Sequence, residues 1–393
     1  MTPLREGYRR LLAGWLRRDP SEVFLFWKGR VAFYAILKSA GIGAGDEVIL
    51  PAFTCLVVAN AIRYLGAKPV YADIEPRTLS LTRRTVEPLL TERTAAVIMQ
   101  NTFGKSPDAV PLRELADKRG VFLFEDCAHG FGGTAAGRPN GAIADAAFFS
   151  TQWNKSFSTG LGGIAVSSDH RIRENLSAIE RDAVRPSAEE SALLGMLLAA
   201  RRLTDSALLF WPTRAVYRML SAVGIVPGSS TSDELEGEMP GGYLKALSDV
   251  QARAGIRALK GLDRLLAVRR SAVSRYADAC RSAGLIPLFE GDDHDNMFLF
   301  FPVFCRDKRA VLSAARSAGV ELSDWFVSPL HPAMTGWERW GYQRGTCPIS
   351  ERLARSVVGF PTRLGLTGLD RAIGFLSTEK DRFFHSVEDC LAN

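Results

Sequence analysis

Short apolar runs alternate with amphipathic stretches from Gly29 to about Asp169. Glu47-Val48-Ile49-Leu50-Pro51, Pro69-Val70-Tyr71-Ala72-Asp73, Ala95-Ala96-Val97-Ile98-Met99, Val121 to Asp126 and Ala146-Ala147-Phe148-Phe149 read as strands. Cys55 to Leu65 and Val110 to Arg119 read as helices between them. Runs that are apolar throughout, rather than at every second position, mark strands covered on both faces, so the pattern predicts an α/β fold around a mostly parallel sheet. Such sheets bind ligands beyond the carboxyl ends of their strands. Asp126 and Ser150 both fall at such ends.

The flanking segments differ in character. Met1 to Pro20 carries five arginines and reads as a helical arm, suited to packing on a partner subunit. Residues 180–235 read as a helical insertion, with apolar, arginine-containing stretches at Leu193–Arg202 and Ala207–Val226. Two readings of 190–226 stand side by side: a face on a membrane surface, and an amphipathic helical pair packed on the body or a partner. Ala246 to Cys280 reads as one long helix leading into a second domain, with a strand at Met297–Val303 and helices at Lys308–Ala318 and Ser350–Val358. The expected division is an arm at 1–20, a large domain at 21–245 and a smaller C-terminal α+β domain at 246–393.

Composition narrows the function classes. The 393 residues are 47% hydrophobic and 23% charged, ordinary for a globular protein able to bury a core. A net charge of +6 without a Lys/Arg block or recognition motif argues against nucleic acid. The six cysteines form no CxxC pair and, with five scattered histidines, give no metal-ligand spacing, so no metal and a reducing, cytoplasmic setting are expected. No signal peptide or membrane-spanning stretch is read from the sequence.

The candidate chemistry centres on Lys155, five residues after Ser150 and twenty-nine after Asp126, and just before Thr159-Gly160-Leu161-Gly162-Gly163. A lysine for a Schiff base, a buried carboxylate for a pyridinium nitrogen and a hydroxyl for a phosphate are what pyridoxal phosphate (PLP) requires. Alone, Asp126 would be an ordinary strand-end residue and Lys155 a solvated lysine; their joint spacing carries the reading.

With these residues in view, the chain resembles the DegT/StrS-type sugar-nucleotide aminotransferases, fold-type-I PLP enzymes. The likeness is carried by Gly45 to Pro51, Gly66 to Ile74, Glu125-Asp126-Cys127-Ala128-His129-Gly130 and Phe149 to Lys155, and resumes at Gln251–Asp263, Pro329-Leu330-His331 and Glu351-Arg352-Leu353. The resemblance implies a large domain with a mostly parallel, seven-stranded-type sheet, and PLP held on Lys155. It places Asp126 at the ring nitrogen, His129 beside the ring, Ser150 at the phosphate and His331 near substrate. It also implies a homodimer, glutamate or glutamine as amino donor, and a keto-sugar nucleotide as acceptor in glycan, lipopolysaccharide or antibiotic-sugar biosynthesis.

Departures from that pattern are local. Lys28-Gly29-Arg30 stands where the family has Ser-Gly-Thr, so Gly29 and Arg30 are expected at the phosphate. Thr54 is retained as a cofactor contact, but Cys55 replaces the usual ring-stacking aromatic, leaving Phe103 as a candidate cover. Gly242-Tyr243-Leu244 lacks the asparagine that the family sends to the neighbouring subunit's phosphate, and Ala246 replaces a common arginine. These changes leave two further readings open: amination of a lipid-linked or other non-sugar ketone, and a non-catalytic regulator that keeps the fold.

Overall fold

The computed structural model describes residues 1–201, 230–290 and 295–393. Its strands are β1 (Val23–Phe26), β2 (Glu47–Pro51), β3 (Thr54–Cys55), β4 (Lys68–Ala72), β5 (Thr94–Gln100), β6 (Phe122–Asp126) and the small hairpin β7 (Thr134–Ala135) and β8 (Arg138–Pro139). There follow β9 (Ala146–Ser150), β10 (Gly163–Ser167), β11 (Phe300–Phe304), β12 (Leu330–His331) and β13 (Val357–Pro361). Seven of them form one sheet in the order β1-β10-β9-β6-β5-β2-β4. The pairs β2–β4, β2–β5, β5–β6 and β6–β9 are parallel, and β10 runs antiparallel to both neighbours. The mostly parallel sheet expected from the apolar runs is therefore the framework of the fold.

Burial on both faces explains those runs. Helices Gly29–Ser39 and Leu56–Arg63 bury nearly every side chain against one face, where Phe33, Ile36, Val48, Ile98 and Phe148 share a core. Helix Ala109–Arg119 sends Leu112, Leu115 and Ala116 to the opposite face, beside Ile49, Val97 and Leu123. Neighbouring residues of one strand thus enter different cores, as the period of two requires.

The N-terminal helix is seated on the body, and three expected element bounds are corrected. The N-terminal helix Pro3–Leu16, started by Thr2 and Pro3, packs one face on its own chain. Its Tyr8 is fully buried against Gly255, where a Cβ would lie 2.3 Å from the Tyr8 ring, and Arg9 makes a largely buried 2.6 Å ion pair with Glu180. The long helix expected at Ala246–Cys280 is two helices, Asp249–Leu259 and Leu262–Ser282, separated at Lys260-Gly261. The strand expected from Met297 starts only at Phe300: Met297 and Leu299 donate their N–H groups to Gly104 and Phe103, and Phe298 has a positive φ of 53°. The helix expected to reach Val358 stops at Ser356, because β-branched Val357 and Val358 enter β13 and pair with β11.

A second core gathers Tyr276, Phe301, Phe304, Val358, Phe360, Phe375 and Leu376 around the β11–β13 pair. Packing does not change abruptly at residue 245. Leu247, Leu259, Leu262, Leu266, Met297 and Leu299 pack with Tyr8, Val23, Leu25 and Phe149 of the sheet body. Phe53 and Phe103, from loops of the sheet body, join the second core.

Of the segment read as an insertion, helix Ala188–Arg201 sets Leu194 against Trp27, Leu161 and Trp153, which places it on the body. Ala207–Val226 lies outside the described residues, and with it most of the segment read as membrane-facing. Among the described residues no helix is long and apolar enough to cross a membrane.

Because Tyr8 is sealed inside its own chain, Tyr8→Ala is expected to lower unfolding free energy by about 4 kcal/mol. Urea denaturation followed by circular dichroism measures this; a loss below about 1 kcal/mol would mean the helix is not part of the core.

Candidate active site

The parallel strands β5, β6 and β9 end at one cavity of about 320 Å³. Its walls include Gln100 closing β5 and Asn101 after it, Asp126 closing β6, and Ser150 closing β9. Chain segments distant in sequence complete it: Lys28, Gly29 and Arg30 at the start of helix Gly29–Ser39, Cys55, Lys155, and Trp325, Phe326, His331 and Pro332. The parallel bridge of β12 with β3 draws His331 to this place, pairing Leu330 with Thr54 and His331 with Cys55.

Asp126 is buried, and one carboxylate oxygen accepts the Ala128 N–H at 2.9 Å. Burial pushes its carboxyl up to about 6, against the opposing pull of the Ala128 N–H and Lys155. Lys155 is also buried, and burial draws its amine down to about 8, with Cys55 and Asp126 resisting and Arg30 assisting. Each group is displaced toward its neutral form because water is excluded. The Lys155 Nζ stands 4.2 Å from the centre of the Trp325 ring, within cation–π range.

His129 is held flat against Trp325, ring centroids 5.1 Å apart and planes 30° from parallel, with Phe103 behind it at 6.4 Å and 19°. Burial, with Lys155 and His331 nearby, drives its imidazole well below the ordinary value, so it is neutral near pH 7. His331 is drawn down to about 4, chiefly by burial, and its Nδ1 accepts the Val327 N–H at 3.4 Å. A neutral His129 can offer a hydrogen bond without adding charge.

The cavity wall at Gly29 and Ser150 is built by close approach. A Cβ on Gly29 would lie 2.8 Å from the Ser150 Cβ, so only glycine lets the helix start sit directly over Ser150. The N-cap Lys28 makes no side-chain capping bond, leaving that end of the helix suited to an anion. Gly130 answers a similar demand: its Cβ would meet Asn101 Oδ1 at 1.7 Å, and Asn101 in turn donates to Glu125 at 2.9 Å.

The structure thus gathers Lys155, Asp126, His129, Ser150, Gly29, Arg30 and His331 around one cavity. Thr54, expected as a cofactor contact, is not on its lining; its Oγ1 is buried with no hydrogen-bond partner among the described residues, and Cys55 takes the N-cap of the following helix. Phe103, the candidate ring cover, is fully buried behind His129 instead of lining the cavity. Trp325 lies on the wall, beside Phe326. No periodic pattern marks it in the sequence, and it reaches the site because Lys308 Nζ donates to the carbonyls of Asp324, Phe326 and Ala354 at 2.9, 2.7 and 3.1 Å. Tyr243 lies beside its own chain's Arg30, its hydroxyl 3.4 Å from the Arg30 carbonyl, between Tyr34 and Tyr64.

A buried acid at a strand end, a depressed lysine and a glycine-enabled helix start over a serine thus share one cavity. The sequence profile of the DegT/DnrJ/EryC1/StrS aminotransferase family matches residues 26–207 and 212–372, and the chain belongs to this family. It is 29% identical over 339 residues to dTDP-3-amino-3,4,6-trideoxy-alpha-D-glucose transaminase of Micromonospora megalomicea subsp. nigra, covering 85% of this chain and 78% of that protein. It is 35% identical over 159 residues to GDP-perosamine synthase of Caulobacter vibrioides, a match spanning 40% of this chain and only 43% of that protein. The fold is also that of Spr1654 from Streptococcus pneumoniae, solved in its PLP-form, with a TM-score of 0.75, 19% identity, and coverage of 97% of this chain and 92% of that one.

If burial holds the Lys155 amine down to about 8, covalent capture of added PLP is expected to accelerate between pH 6.5 and 9, with its midpoint at about 8. Stopped-flow absorbance measures the rate. A midpoint near the ordinary lysine value of 10.5 would show the amine to be solvated.

Proposed function

We propose that the chain is a PLP-dependent aminotransferase that moves an amino group from glutamate or glutamine to a keto-sugar nucleotide, in glycan, lipopolysaccharide or antibiotic-sugar biosynthesis. The observation that carries this reading is the pairing of a buried Asp126 and a buried, pKa-depressed Lys155 in one cavity. Family membership and the named sugar transaminases support the choice of substrate class.

When bound, PLP supplies the electron sink that stabilises a carbanion at the amino carbon. The chain's own residues do the rest. Asp126, its carboxylate favoured by a cationic neighbour, orients and charges the ring nitrogen. Ser150 Oγ, the helix start at Gly29, and Arg30 hold the phosphate. Lys155 Nζ would hold the aldehyde, and as a free amine it would serve as the base and acid that moves the proton of the donor's amino carbon. A depressed pKa suits both halves of that transfer, because neither protonation state of the lysine is strongly preferred near neutral pH. His129 fixes the ring from the side, and the Trp325–Phe326 wall keeps water from the exchanged proton.

We further propose a homodimer as the active unit and the cytoplasm as its location, in keeping with six unpaired cysteines. The aromatic wall at Trp325 and Phe326, joined by Pro332 and Leu235, favours a second reading in which the acceptor carries a larger apolar portion, such as a lipid-linked ketone.

Absorbance of the PLP-loaded protein is expected to change on adding glutamate or glutamine. Lys155→Ala should abolish that change and lower turnover by more than about a hundredfold while circular dichroism stays native. A Lys155→Ala protein with normal turnover would refute the assignment. Assays on keto-sugar nucleotides decide the acceptor: a donor-responsive enzyme silent on all of them supports the apolar-acceptor reading.

A further inference from the structure

Beside Arg30 the cavity wall carries an ion-pair cluster centred on Glu234, a carboxylate that the proposed chemistry does not use. Arg30 Nη1 lies 2.8 Å from Glu234 Oε1 and donates to Ser230 Oγ at 3.0 Å; Lys28 Nζ lies 3.5 Å from Glu234 Oε2. Lys28, Arg30 and Ser230 line the cavity, whereas Glu234 stands behind the two cations, its side chain 2% exposed. Burial alone would raise the Glu234 carboxyl, but Arg30 and Lys28 hold it below the usual range, so it is an anion at neutral pH.

Glu234 is also fixed in place. It is the third residue of a capping box with Thr231, whose N–H it accepts at 2.9 Å, and its carbonyl accepts Asn60 Nδ2 at 2.7 Å. Asn60 is held in turn by Trp340 Nε1 at 2.6 Å. The carboxylate therefore cannot swing away when a second anion arrives.

We infer that Glu234 is a positioning residue for the cofactor phosphate: it keeps Lys28 and Arg30 side by side at the cavity and, as a fixed internal anion, weakens their hold on phosphate. Two buried cations without a counter-charge would repel each other and resist desolvation, so Glu234 allows them to stand there before any phosphate binds. Its remaining charge opposes the incoming dianion at short range in a medium of low dielectric. The chain thus trades binding strength for a preformed site. This rests on the reading that the cavity takes a phosphorylated cofactor.

The test is isothermal titration of the purified full chain with PLP and, separately, with inorganic phosphate. Glu234→Gln retains a group able to cap Thr231 and hydrogen-bond Arg30, but carries no charge. It is expected to bind both ligands about tenfold more tightly than wild type. Arg30→Met is expected to weaken both, and Arg30→Met/Glu234→Met to bind more tightly than Arg30→Met alone; this pair answers the question even where the single glutamine variant fails to fold. A merely structural Glu234 would make every variant lacking it bind more weakly. Unchanged or weaker binding on removing the carboxylate, in a chain whose wild type binds both ligands, overturns the role of Glu234 and leaves the functional reading standing. A wild type that takes up neither PLP nor phosphate overturns both.

Discussion

Everything in this protein depends on keeping an amine and a carboxyl out of water within the same cavity. Either group alone would resist burial at a cost of several kcal/mol. Together they settle for a compromise: Asp126 is pushed up, Lys155 is drawn down, and both remain within reach of protonation changes near neutral pH. A lysine so placed can attack an aldehyde, and a carboxyl so placed becomes a strong partner as soon as a cationic ring nitrogen approaches. The seven-stranded sheet keeps this pair in place. It brings the ends of β5, β6 and β9 to one edge, with helices on both faces, so that Gln100 and Asp126, which close β5 and β6, are buried.

Glycines and aromatics then finish the site in complementary ways. Gly29 lets a helix start rest on Ser150, and Gly130 leaves room for Asn101. Trp325, Phe326 and His129 close the other side with stacked and tilted rings. The two ends therefore differ in character. One is polar and cationic, built from Lys28, Arg30 and Ser150; the other is aromatic and supplied by the C-terminal part of the chain. A cofactor with a phosphate at one end and a flat ring at the other matches that polarity.

The sheet and much of the site were legible in the sequence because both are written locally. Each buried strand is a short apolar run, and Asp126 and Ser150 sit at the ends of two such runs. The family likeness added roles for His129 and His331, which no local pattern assigns. What escaped is what long-range packing decides. Trp325 is held at the cavity by long-range contacts, among them the three carbonyls that Lys308 gathers and the bridge of Ser323 with Gly359. Glu234 arrives by way of Asn60, 174 residues earlier. Phe103 and Thr54 lie off the cavity lining for the converse reason: each is near the site in sequence, yet the joint core around Phe53 and Phe326 takes in the first, and the second is buried where β3 pairs with β12. The N-terminal helix looked like a free arm because its arginines are conspicuous, whereas its packing rests on Tyr8 fitting over Gly255.

The most direct measurement is chemical trapping. The purified chain is loaded with PLP, reduced with borohydride, digested and mapped by mass spectrometry. The account predicts a single phosphopyridoxyl label, on Lys155. A label on Lys28, Lys308 or another lysine, or no label at all, would contradict it.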